Sequence, residues 1–177
     1  MRKSLRGKVS REPWIVSFKK GADMRPEDLP LKKQIEVWAY TRNGDSIKYL
    51  ILRRVPELGG FWQPITGGIE RGEGAEHAAR RELTEETGIF KPLKFYNLHF
   101  NYCFIWKNKR YLEHVFAAES PVMDIKISDE HSAYMWADFN TAASMLRWEA
   151  NRLIMGQLND ILVSKATAIT KAVQKKA

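Results

Sequence analysis

The run of 23 residues from Gly67 to Ile89, GGIERGEGAEHAARRELTEETGI, constrains this chain more than any other part of it. Five residues separate Gly67 from Glu73. Seven more lead to Arg81-Glu82-Leu83-Thr84-Glu85-Glu86-Thr87-Gly88-Ile89. A glycine-rich turn, Gly67-Gly68 to Gly72, is expected to deliver the chain to Glu73. Residues 75–86 lack Pro and Gly and predict a helix, with Gly88 as its stop. At about 100° per residue, Glu82, Glu85 and Glu86 fall within one arc of roughly 100°. Ala75, Ala78 and Ala79 lie in or beside that arc and Leu83 at its edge, whereas His77, Arg80 and Thr84 point elsewhere.

Three carboxylates on the small-residue side of a helix repel one another, and each costs free energy when desolvated. A hard cation removes both problems, because Mg²⁺ prefers carboxylate oxygens and also binds phosphates. Three glutamates alone would read as a solvated face. The joint pattern of glycine turn, Glu73, Arg81, clustered acids and glycine stop favours a metal site. Arg81 precedes Glu85 by four residues and can pair with it along the helix.

Every fixed position of the Nudix box is filled in this run, and the chain resembles the Nudix hydrolases. The resemblance implies a mixed β-sheet sandwiched between α-helices, an α/β fold. It also implies a divalent-metal hydrolase that cuts a phosphoanhydride joined to a nucleoside-like group, with Mg²⁺ as cofactor and Mn²⁺ as a substitute. Phe61-Trp62-Gln63 before Thr66-Gly67, then Glu130-His131, Ala133-Tyr134, Trp136, Trp148 and Asn151-Arg152, look like dihydroneopterin triphosphate and dATP-type pyrophosphohydrolases. That likeness spans roughly residues 34–163.

On this resemblance Glu82, Glu85 and Glu86 are metal ligands, with a backbone carbonyl of Thr66 or Gly67 as a further donor. Arg81 belongs to the catalytic set as the residue that orients the box glutamates, and Glu73 braces the loop and helix or contributes to metal binding. Glu130, in the loop Ser128-Asp129-Glu130-His131, is a non-box ligand or base; Glu85 or Glu130 takes the proton of the attacking water. His131 contacts phosphate or caps a strand. Trp62 and Gln63 are read as contacts to the base or pterin, although a Trp here serves equally well as core. Arg53 or Arg54 meets phosphate, and Arg53 is taken as the substrate contact. The implied substrate is a nucleoside or pterin triphosphate, cut to the monophosphate and pyrophosphate. The alternatives are a dinucleoside polyphosphate, an RNA 5′ end, or a non-catalytic nucleotide sensor.

Length and charge refine this reading. At 177 residues the chain can bury one sizeable core. A single cysteine, Cys103, excludes an intrachain disulfide and a Cys metal cluster and suits a reducing cytosol; Cys103 reads as packing. No apolar stretch approaches membrane-spanning length, and the N-terminus lacks the apolar region of a secretory signal. The net charge of +8 sits at the ends: +6 in residues 1–33, +4 in residues 164–177, and −2 between. The expected organisation is a basic N-terminal extension over 1–33, a catalytic domain over 34–163 and a basic tail over 164–177. The ends are read as solubilising or as arms packed on a second copy, which allows a homodimer, rather than as nucleic-acid contacts.

The layout predicts strands at Trp14–Phe18, Gln34–Thr41, Lys48–Arg53, Phe61–Thr66, within Leu93–Trp106, at Tyr111–Ala118, Pro121–Ile127 and Ala133–Trp136. Asn43-Gly44 marks a hairpin. A helix is expected over Asn140–Leu162, broken near Trp148–Asn151.

Overall fold

The computed structural model describes residues 14–15 and 26–174, with side chains from 27 to 164. Among the described residues eight strands form one mixed sheet: β1 Trp14–Ile15, β2 Leu31–Asn43, β3 Ser46–Arg54, β4 Trp62–Gln63, β5 Ile65–Gly68, β6 Lys94–Trp106, β7 Lys109–Glu119 and β8 His131–Ala137. Helix α1 spans Ala75–Thr87, α2 Phe139–Met145 and α3 Glu149–Gln174. The path β1-β6-β7-β2-β3-β4 carries β5 on β2 and β8 on β3. Of the expected strand at Trp14–Phe18, only Trp14–Ile15 is described, parallel to β6 at Tyr102 and Cys103; the rest lies outside the described residues.

β2 organises the molecule. Its alternate residues serve opposite faces, as strand geometry requires. Ile35, Val37 and Ala39 join Leu50, Leu52, Ile65 and Phe116 against Ala78, Ala79 and Leu83 of α1. Trp38 and Tyr40 join Tyr49, Ile51 and Val115 against Leu146, Met155, Leu158 and Leu162. Two cores, one on each face, make the helix–sheet–helix sandwich. β2 runs parallel to β7 over Leu31–Tyr40, pairs β5 over Gln34–Val37, and pairs β3 over Tyr40–Asn43. The hairpin to β3 turns at Gly44, whose φ of 57° favours glycine.

Three expectations are corrected. Gly67 and Gly68 belong to strand β5, and the turn comes later, at Gly72 with φ 84°. Phe61–Thr66 divides into two short strands because β4 pairs with β3 whereas β5 pairs with β2. Residues 121–127 form a loop rather than a strand. The Lys126 amide in it, and the Ser128 amide just after it, donate to the Thr87 and Glu86 carbonyls at the end of α1 at 3.2 and 3.3 Å. The helix break stands at Leu146–Trp148. There the Arg147 amide donates to the Trp62 carbonyl at 3.2 Å, and Arg152 donates to the Leu146 carbonyl at 2.8 Å. Among the described residues no helix is long and apolar enough to cross a membrane.

Candidate active site

α1 is held between a glycine at each end. Gly74 precedes it, and Gly88, in the left-handed conformation, ends it by donating to the Thr84 carbonyl at 2.8 Å. Packing of Ala78, Ala79 and Leu83 on the sheet fixes the rotation of the helix. This rotation lays Glu82 and Glu86 against β5 and leaves the Glu85 side chain 58 % exposed.

Gly67 is needed for space. A Cβ there would lie 1.9 Å from Cδ of Glu82 and 2.1 Å from its Oε1. The carboxylate therefore rests directly on the backbone of β5. Gly67→Ala should leave the sheet intact, since the clash is with the end of a flexible side chain. It should displace Glu82 and lower turnover about tenfold or more, equivalent to about 1.4 kcal/mol of barrier. Rate and melting temperature measured together check this; wild-type turnover in the folded variant would show that the seat of Glu82 is unimportant.

Arg81 ties the motif together. Its Nε and Nη2 donate to the two carboxylate oxygens of Glu73, each at 3.0 Å, a bidentate pair. Nη1 reaches Glu82 Oε1 at 2.8 Å and Glu85 Oε2 at 3.0 Å, and Nη2 also donates to the Gly68 carbonyl at 3.0 Å. Glu73 further accepts the Glu70 amide at 3.0 Å and lies 2.8 Å from Nδ1 of His77. These bonds, those from Arg81 first, hold the Glu73 carboxyl down at about 2. Through these bonds Glu73 links the loop at Glu70 to His77 and Arg81 of α1.

Glu86 is in the opposite situation. It is buried, accepts the Thr66 amide, and its Oε2 has no partner. Burial first, then the charges of Glu82 and Glu130, push its carboxyl up to about 9. Glu130 enters from the loop before β8; its carboxylate is 59 % exposed and meets Arg54 Nη2 at 3.0 Å. Its carbonyl accepts the Val55 amide at 3.0 Å, so the loop is pinned to the end of β3. Burial and then Arg54 drive His131 down to about 4, which leaves it neutral near pH 7 and a weak base.

The substrate-contact expectations divide. On β3, Arg54 shares the α1 face with Leu50 and Leu52, whereas Arg53 points to the other face and donates to the Gly60 carbonyl at 3.2 Å. Arg54 rather than Arg53 therefore stands beside Glu130. Trp62 packs partly buried against the α3-side core, and Gln63 is buried, donating to Thr66 Oγ1 at 3.0 Å.

A divalent cation fits this donor set. The carboxylates supply oxygen, Glu86 Oε2 is buried without a partner, and Glu82 rests where only glycine permits it. Among the described residues no three His, Cys, Asp or Glu side chains stand close enough to cage an ion as they are. Arg81 instead holds Glu82 and Glu85.

The NUDIX domain model matches residues 32–156. The chain belongs to the Nudix family. An octanoyltransferase of Myxococcus xanthus is 34 % identical over 133 residues, covering 72 % of this chain; the chain spans only 37 % of that protein's length. The dihydroneopterin triphosphate diphosphatase of Escherichia coli K12 is 27 % identical over 144 residues, 74 % of this chain and 95 % of that one. The solved structure of the E. coli dihydroneopterin triphosphate pyrophosphohydrolase superposes with a TM-score of 0.62 at 29 % identity, covering 72 % of this chain and 96 % of that one. The Nudix domain here is thus a hydrolase fold of the class that acts on phosphoanhydrides of nucleotide type, a family that generally requires a divalent metal. The mixed sheet between helices agrees with the expected α/β architecture.

Proposed function

We propose that this chain is a Mg²⁺-dependent pyrophosphohydrolase that splits a nucleoside or pterin triphosphate into the monophosphate and pyrophosphate. The observation that carries the reading is the buried Glu86 carboxyl, unpartnered at Oε2 and pressed by Glu82 and Glu130. Glu82, Glu85 and Glu86 would hold the metal, with a backbone carbonyl of Thr66 or Gly67. Bound there, Mg²⁺ supplies charge neutralisation on the phosphates and acidifies water.

The chain's own groups do the rest. Arg81, braced by Glu73, fixes the directions of Glu82 and Glu85. Glu130 takes the proton of the attacking water as the water oxygen bonds to a phosphorus of the α–β anhydride. The bridging P–O bond breaks and pyrophosphate leaves. Glu130 is preferred to Glu85 as base because its charge bears on both Glu82 and Glu86, whereas Glu85 bears on Glu82. Arg54, paired with Glu130, is placed to steady negative charge that gathers near it.

A substrate panel in Mg²⁺, with products identified by mass, tests this reading. A nucleoside or pterin triphosphate should give the monophosphate and pyrophosphate. Turnover confined to dinucleoside polyphosphates or to triphosphorylated RNA ends would replace the proposed substrate class, and turnover of none of them would remove the hydrolase reading.

A further inference from the structure

Among the described residues, Arg81 and Arg54 both pair with acids of the carboxylate cluster, and they are held very differently. Arg81 is fixed on Glu73 through two nitrogens and on the Gly68 carbonyl as well. Arg54 meets Glu130 through Nη2, at 3.0 Å. That bond engages one nitrogen of a group that carries five N–H donors. The Arg54 side chain is 19 % exposed and that of Glu130 59 % exposed. An ion pair so open to water contributes little to stability and yields to a stronger partner.

The backbone beneath the pair is, by contrast, pinned. β3 and β8 keep register from Tyr49 and Ala137 to Arg53 and Ala133, but the next partners are Arg54 and His131. Ser132 is therefore an extra residue, a β-bulge. Its hydroxyl reaches the Arg53 and Arg54 carbonyls, each at 3.3 Å. The Arg54 amide donates to the Phe61 carbonyl at 3.0 Å, and the Val55 amide to the Glu130 carbonyl at 3.0 Å. Without the extra residue Ser132 would stand opposite Arg54, and the chain before it would change face. The bulge thus delivers Glu130 to Arg54 on a fixed main chain and leaves the side chains loosely tied.

Glu130 is near enough to Glu82 and Glu86 for its charge to act on both. Yet among the described residues no three acids stand close enough to hold a cation. The tie to Arg54 explains the difference, because the third carboxylate is within reach but turned to a guanidinium. A phosphate offers Arg54 two oxygens at once, a bidentate contact that the bond through Nη2 does not match. A divalent cation between Glu82 and Glu86 would attract Glu130 and repel Arg54. Anion and cation therefore open the same pair.

We propose that Arg54 is a latch on Glu130: it holds the carboxylate away from Glu82 and Glu86 in the free chain and releases it when a phosphate of the substrate takes the guanidinium. The inference rests on the proposed hydrolase reading and adds an order of events to it. Glu130 becomes available as the base where anion and cation are both present. By linkage, phosphate and cation then tighten each other's binding.

The test is binding of Mn²⁺ alone to the substrate-free full chain, read from the paramagnetic resonance signal of the unbound ion. It is run as a cycle of wild type, Arg54→Gln, Glu130→Gln and the double variant. Arg54→Gln should bind Mn²⁺ at least about fivefold tighter than wild type, whereas the same change made in Glu130→Gln should tighten binding by at most about twofold, a coupling of the size that contacting charged groups show. Equal tightening in both backgrounds would show that Arg54 acts only by its charge on the whole site, and would overturn the latch. Unchanged or weaker binding by Arg54→Gln, or no Mn²⁺ binding by any of the four proteins, would overturn it too. Melting temperatures identify the folded variants, and Arg54→Met repeats the cycle where the glutamine variant does not fold. With a triphosphate that the chain cuts, Arg54→Gln should raise KM about tenfold and lower kcat by less, because the phosphate contact precedes the chemical step. A fall in kcat at unchanged KM would overturn release by phosphate. The Mn²⁺ cycle needs no turnover. Coupling of Arg54 to Glu130 in a chain that cuts no triphosphate would sink the hydrolase reading and keep the latch, whereas additive effects in an active enzyme would sink the latch and keep the hydrolase.

Discussion

Glu86→Gln should lower turnover by about one to three decades, equivalent to about 1.4–4 kcal/mol of transition-state stabilisation, and should make the metal-free protein more stable. The two effects share one cause. The glutamine keeps the shape of the side chain and removes a negative charge from a buried position next to Glu82 and Glu130. Without that charge the site holds a cation less well, but the fold no longer contains a carboxyl that resists ionisation.

The pH dependence gives the sign. The Glu86 carboxyl is raised from 4.5 to about 9 in the folded protein, so between those values the folded state binds a proton that the unfolded chain has released. Stability is then fully present below about pH 4.5 and falls as pH rises toward 9. Glu36 and Glu113 are raised as well and act in the same direction, so the contrast between wild type and Glu86→Gln isolates Glu86. At pH 8 without metal the variant should melt higher by on the order of 2–8 °C, corresponding to about 1–2 kcal/mol in a chain of this size. At pH 5 the difference should shrink toward zero. Equal turnover within twofold, or a melting difference that does not depend on pH, would show that Glu86 is neither a principal ligand nor a strained buried acid.

The sandwich and the carboxylate helix were legible because both follow from periodicity. α1 appears where Ala, Glu, Arg and Leu run without Pro or Gly, and Gly88 ends it as a left-handed cap should. β2 and β3 announce themselves by β-rich segments flanking Asn43-Gly44. The function of Gly67 was less accessible: the pair Gly67-Gly68 reads as a turn, yet the position lies in a strand and is glycine because Glu82 rests on it. That contact joins two elements and leaves no local signature.

Residues 121–127 illustrate the reverse failure. Their apolar residues resemble a strand, but their backbone bonds go to the Thr87 carbonyl at the end of α1 and to the side chains of Ser120 and Trp136 rather than to the backbone of a neighbouring strand. The choice between Arg53 and Arg54 depended on the parity of β3, which assigned Arg54 to the α1 face beside Glu130 and Arg53 to the other. Glu36 and Glu113 drew no attention in the sequence, because an isolated acid in a strand reads as a solvent-facing residue. Only the pairing of β2 with β7 and the packing of α3 place both beneath the same cover.

The account depends most on the claim that the acids of α1, together with Glu130, serve a divalent cation. Arg81 already neutralises part of Glu82 and Glu85, so the cluster folds without an ion, and chelation should inactivate the protein without unfolding it. The direct measurement is hydrolysis of a triphosphate that the chain cuts, by protein stripped with a chelator and then titrated with Mg²⁺, with circular dichroism recorded on the same samples. Turnover should fall at least about a thousandfold on stripping, as expected for loss of about 4 kcal/mol of transition-state stabilisation, and should return in full with Mg²⁺ or Mn²⁺ while the spectrum stays folded throughout. Undiminished turnover by folded protein in excess chelator would contradict the account.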